Sequence, residues 1–154
     1  MTAHPGETGD ARLRPGAAAE PHRARRLVLP ATAQAPGLAR RATREALATW
    51  RVTHLEATAV LLVSELVTNV TLHAQTPAAI MRLRLETAAG VLRIEVRDAD
   101  PNWPQPRTPA YLDDSGFGFV LVAALADTWG VRDTPPGKTV WAVLDARPRS
   151  RRSR

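Results

Sequence analysis

The chain of 154 residues contains no cysteine, which excludes disulfides and thiolate metal sites. Aromatic residues make up 5% of it, and none interleaves with the arginines near the ends, so no stacking platform for nucleic acid is visible there. The first twenty residues, MTAHPGETGDARLRPGAAAE, lack the apolar centre of a secretory signal. The longest clean apolar run, Phe119 to Ala126, is far too short to cross a bilayer. No internal repeat and no Walker-type GxxxxGK[ST] motif occurs. These absences lead to the expectation of a cytoplasmic protein with no membrane association.

What is present fits one domain with a sizeable core: 44% hydrophobic and 23% charged residues. The net charge of +6 is unevenly placed. Ten of the 21 basic residues and three of the 15 acidic ones lie in the segments 1–26 and 147–154, leaving 11 against 12 between them. The central part is therefore near neutral, and direct nucleic-acid binding is not expected. Residues 1–25 and 146–154 read as basic tails, the first of them disordered, around a domain at 26–145.

Hydrophobic periodicity places the elements. The run RLVLP at 26–30 reads as a strand. Residues 35–50 give a helix with Leu38, Ala42, Ala46 and Trp50 on one face. Residues 55–74 give a longer helix whose apolar arc comprises Val63, Leu66, Val67, Val70 and Ala74. The period then changes to two. Met81, Leu83 and Leu85 alternate with Arg82, Arg84 and Glu86. Beyond Ala88-Ala89-Gly90, Leu92, Ile94 and Val96 alternate with Arg93, Glu95 and Arg97, completing a hairpin with one buried face. A proline-rich loop at 100–115, an apolar helix at 116–127 and a second hairpin turning at Thr134-Pro135-Pro136-Gly137 follow. The order β-α-α-β-β-loop-α-β-β predicts an α/β fold: a two-layer sandwich, its mostly antiparallel sheet covered on one face by helices.

Polar residues interrupt this pattern at four places. In SELVTNVTLHA, residues 64–74, Glu65 and Asn69 stand one turn apart on the flank of the apolar arc, with His73 continuing the column. An amide oxygen suits an octahedral Mg²⁺ shell, and a carboxylate one turn away can orient or deprotonate a hydroxyl. A solvated helix flank gives the same spacing. Asp98 continues the register of Leu92, Ile94 and Val96, so its carboxylate leaves the strand end on the buried side and needs donors. The exocyclic amine of adenine is one; the following turn, which Asp98 can cap, offers others. Gly116-Phe117-Gly118 opens a helix, where free N–H groups favour phosphate, although a flexible helix start has the same sequence. Lys138-Thr139 after Gly137 reads by itself as a turn with a hydroxyl.

In this order the four signals resemble the histidine-kinase-like (GHKL, Bergerat-fold) ATPase superfamily. SELVTNVTLHA is similar to its N box, VRDADP to its G1 box, GFGF to its G2 box and GKTVWAVL to its final strand, across residues 26–145. Together with LADTWGV at 125–131, the pattern most resembles the small bacterial anti-sigma-factor serine kinases. The resemblance implies ATP and Mg²⁺ as cofactors. It implies Asn69 on the metal, Glu65 acting catalytically on the attacking hydroxyl, Asp98 on the adenine amine with Thr139 in support, and Gly116, Phe117 and Gly118 at the phosphates. It further implies a serine/threonine protein kinase that phosphorylates an anti-anti-sigma (STAS-type) protein and sequesters a sigma factor, and a homodimer. The chain departs from the family pattern in two ways. Asp100 and Asn102 occupy places where G1 usually has glycines, and phenylalanines stand where many short relatives carry Arg and Leu in G2. These departures keep a second reading open, a catalytically silent binding module acting by partner exchange.

Overall fold

The structure, a computed structural model, describes residues 21–73, 80–99 and 117–148. Five strands, β1 (Arg23–Pro30), β2 (Ile80–Ala88), β3 (Val91–Asp98), β4 (Thr128–Thr134) and β5 (Gly137–Asp145), form one sheet in the order β1-β2-β3-β5-β4. All four pairings are antiparallel. Helices α1 (Ala35–Trp50), α2 (Glu56–His73) and α3 (Phe117–Leu125) complete the order, with a single 3₁₀ turn at Thr53–Leu55 before α2. This is the expected α/β sandwich, and β1 starts three residues earlier than the apolar run alone suggests.

The alternating residues select the covered face. Met81, Leu83 and Leu85 of β2 and Leu92, Ile94 and Val96 of β3 are fully buried, as are Leu62, Val63 and Val67 of α2. Burying each such side chain stabilises the fold by about 1.5–3 kcal/mol. The β2–β3 hairpin closes through Ala89 and Gly90, with φ values of 51° and 75°. Two consecutive positive φ angles match the right-handed twist of the flanking strands. The second hairpin turns at Pro135-Pro136, as its sequence indicates.

Helix α1 is rotated from the expected face. Leu38 is 43% exposed, whereas Ala35, Ala39, Ala42, Thr43, Ala46 and Leu47 are buried. Small side chains let α1 lie close to α2, and Arg40 Nη1 donates to Ser64 Oγ at 2.9 Å across their boundary. Thr43 turns its hydroxyl back to the Ala39 carbonyl at 2.8 Å, so its buried oxygen is satisfied. The helix ends at Arg51, left-handed at φ 59°, whose N–H meets the Ala48 carbonyl.

Helix α2 is more apolar than the short-run criterion suggested. The stretch Thr53–Leu72 has a mean hydropathy of 1.4, enough by length and composition to cross a membrane. Its apolar arc is instead the centre of the core, where Ala59, Leu62, Val63, Leu66 and Val67 are at most 2% exposed. Chemical denaturation distinguishes the two faces of α1: Leu47→Ala will cost about 2–5 kcal/mol, and Leu38→Ala less than about 1 kcal/mol.

Candidate functional site

Asp98 is the last residue of β3 and lies on the helix-covered side, 7% exposed. Its register partner on β5 is Lys138, also 7% exposed, and the Lys138 ammonium donates to Asp98 Oδ1 at 3.2 Å. The carboxylate that the sequence left in need of donors thus has an internal cation. Asp133 of β4 is the register partner of Lys138 on its other side, so the ammonium lies in a row between two acidic positions. Gly137 makes this juxtaposition sterically feasible. A Cβ there would fall 2.0 Å from the Asp98 carbonyl oxygen and 2.5 Å from Ala99 Cα, so only glycine lets β5 start this close to the end of β3.

Thr139 requires a correction. It pairs with Arg97 and therefore lies on the opposite face of the sheet from Asp98. Its hydroxyl meets the Thr134 hydroxyl at 2.9 Å and it is 2% exposed. The strand offers Lys138, not Thr139, to the Asp98 side. The alternation that marks Val140, Ala142 and Leu144 as inward makes Lys138 inward too, and this was the signal available in the sequence.

Glu65 and Asn69 are both half-buried on α2. The boundary with α1 is on the other flank, at Ser64, so the pair is turned away from α1. Helix α2, which carries both residues, contacts β3, β5 and α3 on the side of the sheet that holds Asp98 and Lys138. A half-buried amide can offer Mg²⁺ a hard oxygen, and a half-buried carboxylate one turn away can accept a proton from a hydroxyl. Gly116 lies outside the described residues, as do Asp100, Asn102 and most of the preceding loop. Helix α3 begins at Phe117, with Gly118 in its first turn. His73 is the last residue of α2. Among the described residues no group of three or more His, Cys, Asp or Glu side chains is placed to hold a metal.

Asp127, in LADTWGV, has a structural task. Its carboxylate accepts from the Asp145 backbone N–H at 2.6 Å, and its own N–H donates to the Val143 carbonyl at 2.9 Å, which fixes the passage from α3 into β4.

A second charged assembly lies on the face that, among the described residues, no helix covers. Glu95, 8% exposed, accepts from Arg93 Nε at 2.7 Å and from Arg132 Nη1 and Nη2 at 3.1 and 3.3 Å; Arg84 Nη1 lies 4.0 Å away. Burial alone would raise the Glu95 carboxyl, but the hydrogen bonds and positive charges of Arg132 and Arg93 outweigh it and hold it below its ordinary value of 4.5.

Two predictions follow from these pairs. Lys138→Met will destabilise the fold by about 3–5 kcal/mol, because it removes the cation from a buried carboxylate. Adding Asp98→Asn to that variant will recover part of the loss, as a double-mutant cycle in urea will show. Glu95 binds its proton more weakly folded than unfolded, so its stabilisation is complete above pH 4.5 and fades as acid carries the solution through the lower folded value. Glu95→Gln will therefore flatten the acid limb of the stability profile measured from pH 6 downwards.

The comparisons agree with this architecture. A family model described as histidine kinase-like ATPase domain matches residues 29–144. No curated protein matches the chain. Among solved structures, that of the RsbU and RsbW domains of Rv1364c from Mycobacterium tuberculosis is similar in fold, with a TM-score of 0.58 at 21% identity. The likeness covers 79% of this chain and 31% of that one, so this chain spans about a third of its neighbour's length. A family model spanning most of the chain, over an all-antiparallel sheet covered by helices on one face, shows that the protein belongs to the histidine kinase-like ATPase domain family.

Proposed function

We propose that the protein is an ATP-dependent serine/threonine kinase of the anti-sigma-factor type, which phosphorylates an anti-anti-sigma (STAS-type) protein and sequesters a sigma factor. The observation that supports this reading is that α2, the helix carrying Glu65 and Asn69, packs on the strands β3 and β5 whose ends bring Asp98 and Lys138 together at 3.2 Å. The domain family supplies the ATP-binding context. The RsbW domain named in the structural neighbour supports the anti-sigma direction.

In this reading, the Asn69 amide oxygen would hold Mg²⁺, which would supply positive charge at the ATP phosphates. Glu65, one turn earlier, accepts the proton from the attacking serine hydroxyl. Asp98 accepts from the adenine amine. Lys138 takes the supporting place first given to Thr139: an acceptor and a donor side by side match the amine and the adjacent ring nitrogen on one edge of the base. Gly116, Phe117 and Gly118 lie at the phosphates, where the start of α3 offers backbone N–H groups. Phe117 supplies no cation there, so charge neutralisation in phosphoryl transfer falls to Mg²⁺ and the backbone. The silent-module alternative rests on that missing arginine and on Asp100 and Asn102 in the G1 region.

Incubation with ATP, Mg²⁺ and a cognate anti-anti-sigma protein will yield phosphoserine on the partner. Glu65→Ala will slow transfer by roughly 10²–10⁴-fold with ATP affinity retained. Asn69→Ala will abolish the Mg²⁺ dependence of nucleotide binding, read by calorimetry with and without the metal. Nucleotide binding without any transfer by the wild type would select the silent module, and an unchanged rate for Glu65→Ala would remove Glu65 from the chemistry.

A further inference from the structure

The face of the sheet opposite the helices is a row-by-row array of arginine. The registers set Arg26 beside Arg84, Arg84 beside Glu95, and Glu95 beside Trp141. In the next row, Val28, Arg82, Arg97, Thr139 and Arg132 follow one another across all five strands. The row on the other side brings Glu86 beside Arg93. Among the described strand residues, Arg26, Arg82, Arg84, Arg93, Arg97 and Arg132 thus share one face with three carboxylates, Glu86, Glu95 and, at the end of β5, Asp145. That leaves a surplus of three positive charges on a domain whose centre is otherwise near neutral.

Two of these neighbours are arginine directly opposite arginine: Arg82 with Arg97, and Arg26 with Arg84. Like charges in that relation destabilise a sheet. Glu95 already engages Arg93 and Arg132, Glu86 engages Arg84 and His22, and Arg82 has no carboxylate partner among the described residues. The buried Nε of Arg84 has no hydrogen-bond partner. The fold therefore holds an arrangement that its own stability does not favour.

An aromatic anchor stands within the array. Trp141 lies against Gly130, where a Cβ would fall 2.6 Å from the indole, and the Arg93 guanidinium stacks 4.7 Å from its ring centroid. Val28, 62% exposed, adds an apolar edge on β1. Tryptophan and arginine are the residue types that dominate binding energy at protein interfaces. Among the described residues, all three helices lie on the other side.

We propose that this face docks a protein partner through a carboxylate-rich surface, with Arg82 and Arg97 meeting its acids and Trp141 packing beside them. Charge complementarity selects this occupant. A second copy of the chain would bring two surpluses of positive charge together. Nucleic acid fits less well, since Glu86 and Glu95 stand among the arginines where phosphates would lie, and a single tryptophan gives no run of stacking positions. The surface is separate from the side that carries Asp98, and the proposal does not depend on nucleotide binding.

The test uses the full chain and a short poly-glutamate peptide as the probe, followed by nuclear magnetic resonance at low salt. The peptide is expected to shift the Trp141 indole N–H and the amides of β2 and β3, while the Trp50 indole on α1 stays in place. Arg82→Glu is expected to weaken binding roughly tenfold and at the same time to raise the melting temperature, because an opposed like-charge pair becomes an ion pair. Arg97→Glu provides the same test from the other strand. Replacing Arg151 and Arg152 by Gln is expected to leave affinity within about twofold. A fall in melting temperature for both reversals would mean that the arginines serve the fold, and would overturn the proposal. It would also be overturned by shifts confined to the basic ends, or by a DNA duplex binding with the same dependence on Arg82. Tighter peptide binding by Asp113→Asn/Asp114→Asn would show the chain's own acidic segment on this face. A dimer dissolved by Arg82→Glu in sedimentation would show a second copy there. Either result would displace the partner.

Discussion

Strand β3 is hydrogen-bonded to β2 on one side and β5 on the other, and its successive side chains leave opposite faces. Leu92, Ile94, Val96 and Asp98 enter the side beneath the helices; Arg93, Glu95 and Arg97 enter the other. A slip of one residue in either pairing would drive three charges into the core and expose three aliphatic side chains, so the register is strongly determined. That register also brings Asp98 to Lys138 and Glu95 to Trp141. The core, the buried ion pair and the arginine array are therefore consequences of one alignment, and Gly137 is the residue that lets the strands stay aligned to their ends.

The ion pair at Asp98 illustrates how a polar residue can be placed correctly by pattern and yet be misread in partnership. Alternation along 92–98 puts the carboxylate on the buried side, and burial creates a demand for donors. Which donor meets it depends on the neighbouring strand's register, and that is not contained in the local sequence. Once β5 is aligned with Val140, Ala142 and Leu144 inward, Lys138 must face Asp98 and Thr139 must face away. The motif GKT draws attention to the hydroxyl; the geometry puts the lysine at Asp98.

Legibility followed the contrast between apolar and charged positions. Over 81–86 and 92–97 every outward residue is charged and every inward one apolar, so the hairpin and its faces are readable from the chain. In α1 the contrast fails. Its buried side is largely alanine, and the one large residue near its start, Leu38, is exposed. The polar pair on α2 was legible as a spacing. Its relation to the sheet required the packing of α2 over β3 and β5, which arises from contacts far apart in sequence.

The two sides of the sheet put opposite demands on the same strands. Beneath the helices, charge is scarce and matched: Lys138 stands at Asp98, and each is 7% exposed. On the opposite face, charge is abundant and only partly matched, with arginine opposite arginine at two points. A sheet under selection for stability alone would place a carboxylate opposite Arg82, since a cross-strand ion pair contributes roughly 0.2–1 kcal/mol where a like pair subtracts. The Glu86–Arg84 and Glu95–Arg93 pairs show that such pairing is available within these same strands. Because β3 and β5 each contribute to both sides, the register that brings Asp98 to Lys138 also sets the arginine rows.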